Sequence, residues 1–338
     1  MRVGISIDQL SRPAPGGIGT YIEGLRRGLS ELAAGPTVVE FGATRSRWAE
    51  RLQTLAWVNS DRGMPPQLDV VHATSLAGPF GTTSGVRRSI MLQDVLWREE
   101  PATFTARGRK FHELRFLKVV QRPDIDVMVT TSRVAQLVVD SGVASERVHH
   151  VTLGLDLAPA PEHANAACQQ LGINEPFIVA VGTSEPRKNI VRMIAAWRRA
   201  RERSAHVPRL VIVGWSGWGR IPPDPDVTWL HNLSTSDVRA LQSVASVAAY
   251  VPLREGWGLP PVEALSFGTR VLASTTVPSV EGRADVVTVD PLDVESIATG
   301  LLAALELPTN DPARSARRES VARLTWQSMA AQHMAVWQ

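Results

Sequence analysis

The 338-residue chain has a single cysteine, Cys168. One thiol excludes an internal disulfide and a thiolate metal cluster, and it fits a reducing compartment such as the cytoplasm. Lysine is almost absent, confined to Lys110, Lys118 and Lys188, while arginine supplies the rest of the 36 basic residues. We read that bias as GC-rich coding rather than as a binding signal. No apolar run approaches the roughly 20 residues of a spanning helix, and the chain opens on the strand-like Met1-Arg2-Val3-Gly4-Ile5-Ser6-Ile7, so neither a spanning helix nor a signal peptide is expected. The formal charge of +3 gives no argument for a nucleic acid partner. What is present is ordinary for a globular protein, with 44% hydrophobic and 20% charged residues, which excludes wholesale disorder. The length allows two domains of about 150 residues each.

One stretch organises the rest: Arg254-Glu255-Gly256-Trp257-Gly258-Leu259-Pro260-Pro261-Val262-Glu263-Ala264-Leu265. It follows an apolar run at 247–251 and reads as strand, loop, helix. Pro260 and Pro261 suit a first helical turn, where a missing N–H costs nothing. Glu263 is then expected in that first turn, near the positive end of the dipole. Backbone N–H groups at such an end form an anion site, and Gly256 and Gly258 let a ligand approach the main chain. The pattern is built to hold a phosphorylated ligand.

Glu-x7-Glu enclosing Gly-x-Gly-Leu-Pro and ending in Glu-Ala-Leu resembles the signature of retaining GT-B glycosyltransferases of family 4. The Gly-Leu-Pro-Pro loop is most similar to the mannosyltransferase B branch. The resemblance implies an α/β fold of two Rossmann-like domains whose parallel sheets face each other across a cleft. It implies a nucleotide-sugar donor, with GDP-mannose favoured by the loop, and a glycan or lipid-linked glycan acceptor in cell-surface polysaccharide synthesis. It implies neither cofactor nor metal. Transferred to this chain, Glu263 would accept the ribose hydroxyls, and Glu255 with the Gly256, Trp257, Gly258 and Leu259 backbone would hold the sugar. In the family, retention is usually explained by the leaving phosphate assisting the acceptor hydroxyl.

Earlier in the chain, a glycine-rich loop, Ser11-Arg12-Pro13-Ala14-Pro15-Gly16-Gly17-Ile18-Gly19-Thr20-Tyr21, precedes a helical pattern at Ile22, Leu25 and Leu29. It matches neither a Walker loop nor the dinucleotide fingerprint. By resemblance, Gly17 would approach the donor phosphates. Strand candidates follow at 37–40, 69–72, 88–92, 127–131 and 148–151, with helices between, as βαβ units require. Ligands in such sheets sit beyond the carboxyl ends of strands, which points to His72, to Gln93 and Asp94, and to Thr131-Ser132-Arg133. Family members commonly carry His-Asp after the fourth strand; this chain has Gln93-Asp94, and an amide cannot take an imidazolium role. Both are kept as candidate contacts for acceptor or sugar, with a turn role as the plainer reading of Asp94. His72 is read as a strand-end polar residue.

The segment 103–122 is the most basic, with Arg107, Arg109, Lys110, Arg115, Lys118 and Arg122 interleaved with Phe104, Phe111, Leu114, Phe116 and Leu117. It reads either as a solvated face over a core stripe or as a peripheral contact with an anionic membrane. A proline-rich stretch within 154–167 marks an interdomain linker, giving domains 1–155 for the acceptor and 156–322 for the donor. The pattern Gly182-Thr183-Ser184-Glu185-Pro186-Arg187-Lys188-Asn189 after a strand puts two cations at a helix start, against the dipole, so an anion is expected to answer them. It is similar to the family's diphosphate clamp, with Arg187 and Lys188 on the donor phosphates and Gly182 and Thr183 beside them. Further strands are expected at 209–214, 228–230, 247–251, 270–273 and 286–289. Gly214-Trp215-Ser216-Gly217-Trp218-Gly219 resembles the family's glycine-rich turn. Asp124-Ile125-Asp126 and Asp224-Pro225-Asp226 read as loop chemistry rather than metal sites. The segment 323–338 reads as an apolar helix crossing back to the first domain. Two other readings stay open: a sugar-nucleotide epimerase on the same fold, and a catalytically silent donor-binding subunit.

Overall fold

A computed structural model gives the fold, describing residues 1–12, 16–44, 46–215, 217, 219, 221 and 224–338. The chain divides into two compact units, Met1–Asp156 with Leu324–Gln338, and Leu157–Arg323. Each is built on a six-stranded sheet whose paired strands are all parallel.

In the first unit the strands are β1 (Arg2–Ser6), β2 (Thr37–Phe41), β3 (Val70–Ala73), β4 (Arg87–Leu92), β5 (Ile125–Val129) and β6 (Val148–His150), in the order β2-β1-β3-β4-β5-β6. The expected strands are all present. The fifth starts earlier than its sequence pattern suggested, because Ile125 and Asp126 belong to β5 rather than to a turn. Asp126 faces His149 at 3.1 Å, while Asp124 alone keeps the turn role, bonded to Arg122. The first helix also starts earlier. Gly16–Ser30 is helical from Gly16, so the glycine-rich stretch from Gly16 onward is the first turn of a helix and not a loop; Pro13, Ala14 and Pro15 lie outside the described residues.

Helix Trp326–Trp337 packs on helix Gly16–Ser30, and a Cβ at Gly24 or Gly28 would overlap Trp326. A buried chain of polar groups fastens that packing. Trp337 Nε1 donates to Ser89 Oγ at 2.8 Å, His72 Nδ1 lies 2.8 Å from Ser89 Oγ, and Tyr21 OH lies 2.7 Å from Nε2 of both His72 and His333. His333 Nδ1 closes the chain on the Met329 carbonyl at 2.9 Å. An indole only donates and a carbonyl only accepts, so each proton has one place: Ser89 donates to His72 Nδ1, His72 Nε2–H to Tyr21, Tyr21 to His333 Nε2, and His333 Nδ1–H to Met329. Both imidazoles are neutral. Burial holds the His72 pKa well below the usual histidine value and His333 at about 4. The strand-end reading of His72 thus becomes a buried structural one.

In the second unit the strands are β7 (Phe177–Val181), β8 (Arg209–Val213), β9 (Val227–Leu230), β10 (Val247–Tyr250), β11 (Val271–Ser274) and β12 (Val286–Val289). Their order is β12-β11-β10-β7-β8-β9. Central strands such as Phe-Ile-Val-Ala-Val and Val-Ala-Ala-Tyr are buried on both faces, which is why they read as unbroken apolar runs. Met193, Trp197, Leu210, Ile212, Ala249 and Leu301 share the core beneath helix Ile190–Arg203. The order reverses between β7 and β10, the classical place for a ligand outside the carboxyl ends of a doubly wound sheet.

Candidate active site

The loop after β7 and the loop after β10 meet at that reversal. Pro186–Lys188 forms a single 3-10 turn, and Asn189 follows in the left-handed region at φ 59°. Asn189 is buried, and its amide donates to the carbonyls of Val251 at 3.0 Å and Pro291 at 2.7 Å, while Leu253 N–H donates to the Arg187 carbonyl at 2.8 Å. These bonds stitch the basic turn to the segment leading into Glu255.

Three donors then converge on one oxygen. Glu255 Oε1 accepts from Arg187 at 2.5 Å, from Lys188 Nζ at 2.7 Å and from Tyr250 OH at 2.7 Å. Lys188 also donates to Tyr250 OH at 2.7 Å, and Arg187 reaches Glu185 at 3.3 Å and the Arg254 carbonyl at 3.2 Å. Burial pushes the Glu255 carboxyl up, but Lys188 and Arg187 more than offset it and hold the pKa at about 2. Burial and the neighbouring Glu255 charge raise Tyr250 well above the usual phenol value. At neutral pH the cluster is therefore a carboxylate, two cations and a neutral phenol. The anion that the two cations require belongs to the chain itself.

The remaining residues take distinct places. Gly182 and Thr183 lie in the loop after β7, with Gly182 N–H on the Val213 carbonyl at 2.8 Å. Gly258 has φ 96° and caps helix Leu259–Ser266, and a Cβ there would come 2.5 Å from Val277 Cγ1, so a side chain is excluded by conformation and by space. Trp257 is half-buried, and its buried Nε1 has no hydrogen-bond partner among the described residues. Because the helix begins at Leu259, Glu263 falls in the second turn and not, as the sequence suggested, in the first. Its carboxylate is met by Gln242 Nε2 at 3.5 Å. The glycine-rich turn after β8 packs on the same loop, with Ser184 N–H on the Trp215 carbonyl at 3.0 Å; Ser216 and Trp218 lie outside the described residues.

The candidates in the first unit are taken by themselves. Gly17 sits in the first turn of helix Gly16–Ser30 with nothing within 4 Å of the place a Cβ would occupy. Gln93 follows β4; its Nε2 is buried without a partner among the described residues, and its carbonyl accepts from Thr130. Asp94 Oδ1 accepts from Leu96 N–H at 3.2 Å, the turn role. Thr131 caps the next helix, and Arg133 pairs with Glu99. Among the described residues no three His, Cys, Asp or Glu side chains gather as a metal site, and no helix is long and apolar enough to cross a membrane.

Sequence reasoning missed Tyr250 and the locking role of Asn189. Tyr250 is one of only two tyrosines in the chain, both buried, and that scarcity beside a strand end is a usable signal.

Residues 166–320 match the family model described as glycosyl transferases group 1. The chain is 31% identical over 146 residues to the O-antigen chain mannosyltransferase B of Escherichia coli, covering 38% of this chain and 37% of that one. It is 26% identical over 270 residues to the MMP alpha-(1->4)-mannosyltransferase of Mycolicibacterium hassiacum, covering 74% and 62%. The matched region thus spans about a third to three fifths of these curated relatives. Among solved structures, HepE of Anabaena in complex with UDP and glucose superposes with a TM-score of 0.68 at 15% identity, over 99% of this chain and 98% of that one. The family match fills most of the second unit, which carries a glycosyl transferases group 1 domain, and the two-unit parallel α/β architecture is that of the GT-B fold.

Proposed function

We propose that the chain is a retaining hexosyltransferase that moves mannose from GDP-mannose to a hydroxyl of a glycan or lipid-linked glycan, in the cytoplasm at the inner face of the membrane. The observation that carries the reading is the pair Arg187 and Lys188 fixed on Glu255 at the strand-order reversal of the second unit. Likeness to two mannosyltransferases supports the sugar, and the UDP-bound relative supports a nucleotide-sugar as the donor class. The two curated relatives compared are mannosyltransferases, and the epimerase and silent-subunit readings are not carried forward.

In this reading Arg187 and Lys188 meet the diphosphate, with Gly182 and Thr183 as backbone neighbours. Glu263 accepts the ribose hydroxyls, and Glu255 with the loop from Gly256 to Leu259 contacts the hexose. As the anomeric carbon–oxygen bond breaks, the diphosphate takes the electron pair and the sugar becomes oxocarbenium-like. Two fixed cations aimed at that developing charge are each worth about 10² to 10³ in rate. They supply the charge this step needs, and the reaction proposed uses no metal ion or cofactor. Glu255 is held too acidic, at about pKa 2, to serve as a base near neutrality. That favours the leaving phosphate as acceptor of the incoming hydroxyl's proton. Gln93, with its unpartnered amide, is assigned with Asp94 to the acceptor side.

The test is release of GDP from GDP-mannose in the presence of mannan-type acceptors, with the anomeric configuration of the product read by NMR. The expected result is an α-linked product from the α-configured donor, and loss of transfer in Glu263→Ala and Arg187→Ala. Transfer that is unaffected in Glu263→Ala, or that runs only from a UDP-sugar, contradicts the assignment.

A further inference from the structure

We propose that Tyr250 is a positioning residue of the candidate site: its hydroxyl, held between Lys188 and Glu255, fixes the direction in which the Lys188 ammonium meets a diphosphate. The inference rests on the reading of Lys188 as a diphosphate ligand, and it holds whichever base and sugar the donor carries.

Tyr250 is the last residue of β10 and is buried, and the Lys188 ammonium stands over its ring, 5.1 Å from the centroid. The aliphatic stem of Lys188 passes Gly182, where a Cβ would come 3.5 Å from Lys188 Cδ. Lys188 Nζ, Tyr250 OH and Glu255 Oε1 form a triangle with sides of 2.7 Å. An ammonium only donates and a carboxylate only accepts, so each proton has one place: Lys188 donates to both oxygens, and the neutral phenol donates to Glu255.

Packing alone does not account for the hydroxyl. Phenylalanine would fill the same space and leave nothing to satisfy, whereas a buried hydroxyl costs free energy unless it is bonded. Among the described residues both partners of this one are charged side chains of the site, and neither is backbone.

The triangle also shows what an arriving anion changes. Two oxygens 2.7 Å apart are too close for two N–H bonds of a tetrahedral ammonium to meet both head-on, so at least one Lys188 bond is bent. A phosphate oxygen replaces Glu255 charge for charge, and the neutral phenol stays. Lys188 then keeps one fixed anchor, while Tyr250 keeps its own bond to Glu255. Arg187 has further supports on Glu185 and the Arg254 carbonyl; the Lys188 ammonium has no other among the described residues. A cation aimed before the bond breaks stabilises the leaving diphosphate without reorganising, an advantage that a swinging lysine loses.

The chain's lysine content makes the test direct. Lysine labelled with nitrogen-15 at Nζ gives at most three ammonium signals, and Lys188→Arg identifies the one of interest. Inorganic pyrophosphate should shift that signal, and in the pyrophosphate-bound wild type its protons should exchange with water more slowly than those of exposed Lys110. In Tyr250→Phe, compared at a temperature where calorimetry shows the second unit folded, exchange should be at least about tenfold faster, as loss of one bond to a charged group implies. In transfer from GDP-mannose the same variant should lower kcat about tenfold and leave the donor KM within about twofold. Exchange as fast as that of Lys110 in the bound wild type, equal exchange in wild type and variant, or a loss carried by KM alone overturns the proposal. A Lys188 signal that pyrophosphate does not move removes Lys188 from the diphosphate site and the proposal with it. A wild type that binds pyrophosphate through Lys188 yet transfers nothing from GDP-mannose contradicts the donor reading alone, and the exchange rates then decide the role of Tyr250.

Discussion

Replacing Glu255 by glutamine keeps its shape and removes the charge on which Arg187, Lys188 and Tyr250 converge. The structure sets the size of the loss. Holding the carboxyl at about 2 instead of 4.5 is worth about 3 kcal/mol, at about 1.4 kcal/mol per pH unit. Removing one member of a buried ion pair costs about 3 to 5 kcal/mol, so two routes agree. For a unit of this size that is a fall of about 6 to 12 °C in the midpoint of the transition that unfolds the second unit. Scanning calorimetry of wild type and Glu255→Gln reads it directly. A second effect has the opposite sign. Glu255 competes with any bound diphosphate for the same two cations, so GDP should raise the midpoint of the variant by more than it raises that of the wild type, even as transfer falls. The reasoning is refuted if the variant melts within about 2 °C of wild type, or if GDP stabilises it less.

Acid should weaken the fold through its buried histidines. His333 and His112 are held at about 4 and His72 well below 6.5, so the unfolded chain takes up protons the folded chain refuses. Stability is full above pH 6.5, declines as pH falls toward about 4, by about 3 kcal/mol for each of His333 and His112, and levels there for those two; urea midpoints across that range check it, and a flat profile contradicts it. Tyr250→Phe removes one of three donors to Glu255 and should cost about 1 to 2 kcal/mol by urea unfolding, clearly less than Glu255→Gln. Gly258→Ala forces a Cβ into the left-handed region against Val277 and should destabilise by about 2 kcal/mol or more while weakening nucleotide binding; an unchanged melting curve would contradict the close packing around Gly258.

Much of the fold is readable from the chain because central parallel strands are continuous apolar runs with helices between. Where that signal is diluted, the reading slips: Asp126 sits inside β5 because His149 answers it from the next strand, and no local pattern shows that pairing. The basic turn and Glu255 are legible as motifs, 67 and more residues apart, yet that the cations close on the chain's own carboxylate is a matter of three-dimensional register. Asn189 illustrates the same limit, since a left-handed asparagine leaves no periodic trace. The Tyr21, His72 and His333 chain joins residues up to 312 apart and is invisible to spacing rules. Trp48, Leu52 and Leu55 are different. Their i, i+4, i+7 spacing is present in the sequence, but only burial shows that the stripe faces outward.

The central claim is that Arg187 and Lys188, set by Glu255 at the reversal of the second sheet, bind a nucleoside diphosphate. It is tested most directly by thermal unfolding of the pure protein with GDP, UDP and TDP in turn. At about 100 times its dissociation constant, the right nucleotide should add about 2.7 kcal/mol. GDP is expected to do so, and Arg187→Ala and Lys188→Met are each expected to abolish the effect. A folded wild type whose midpoint no nucleotide moves, or a shift that survives in both variants, would contradict it.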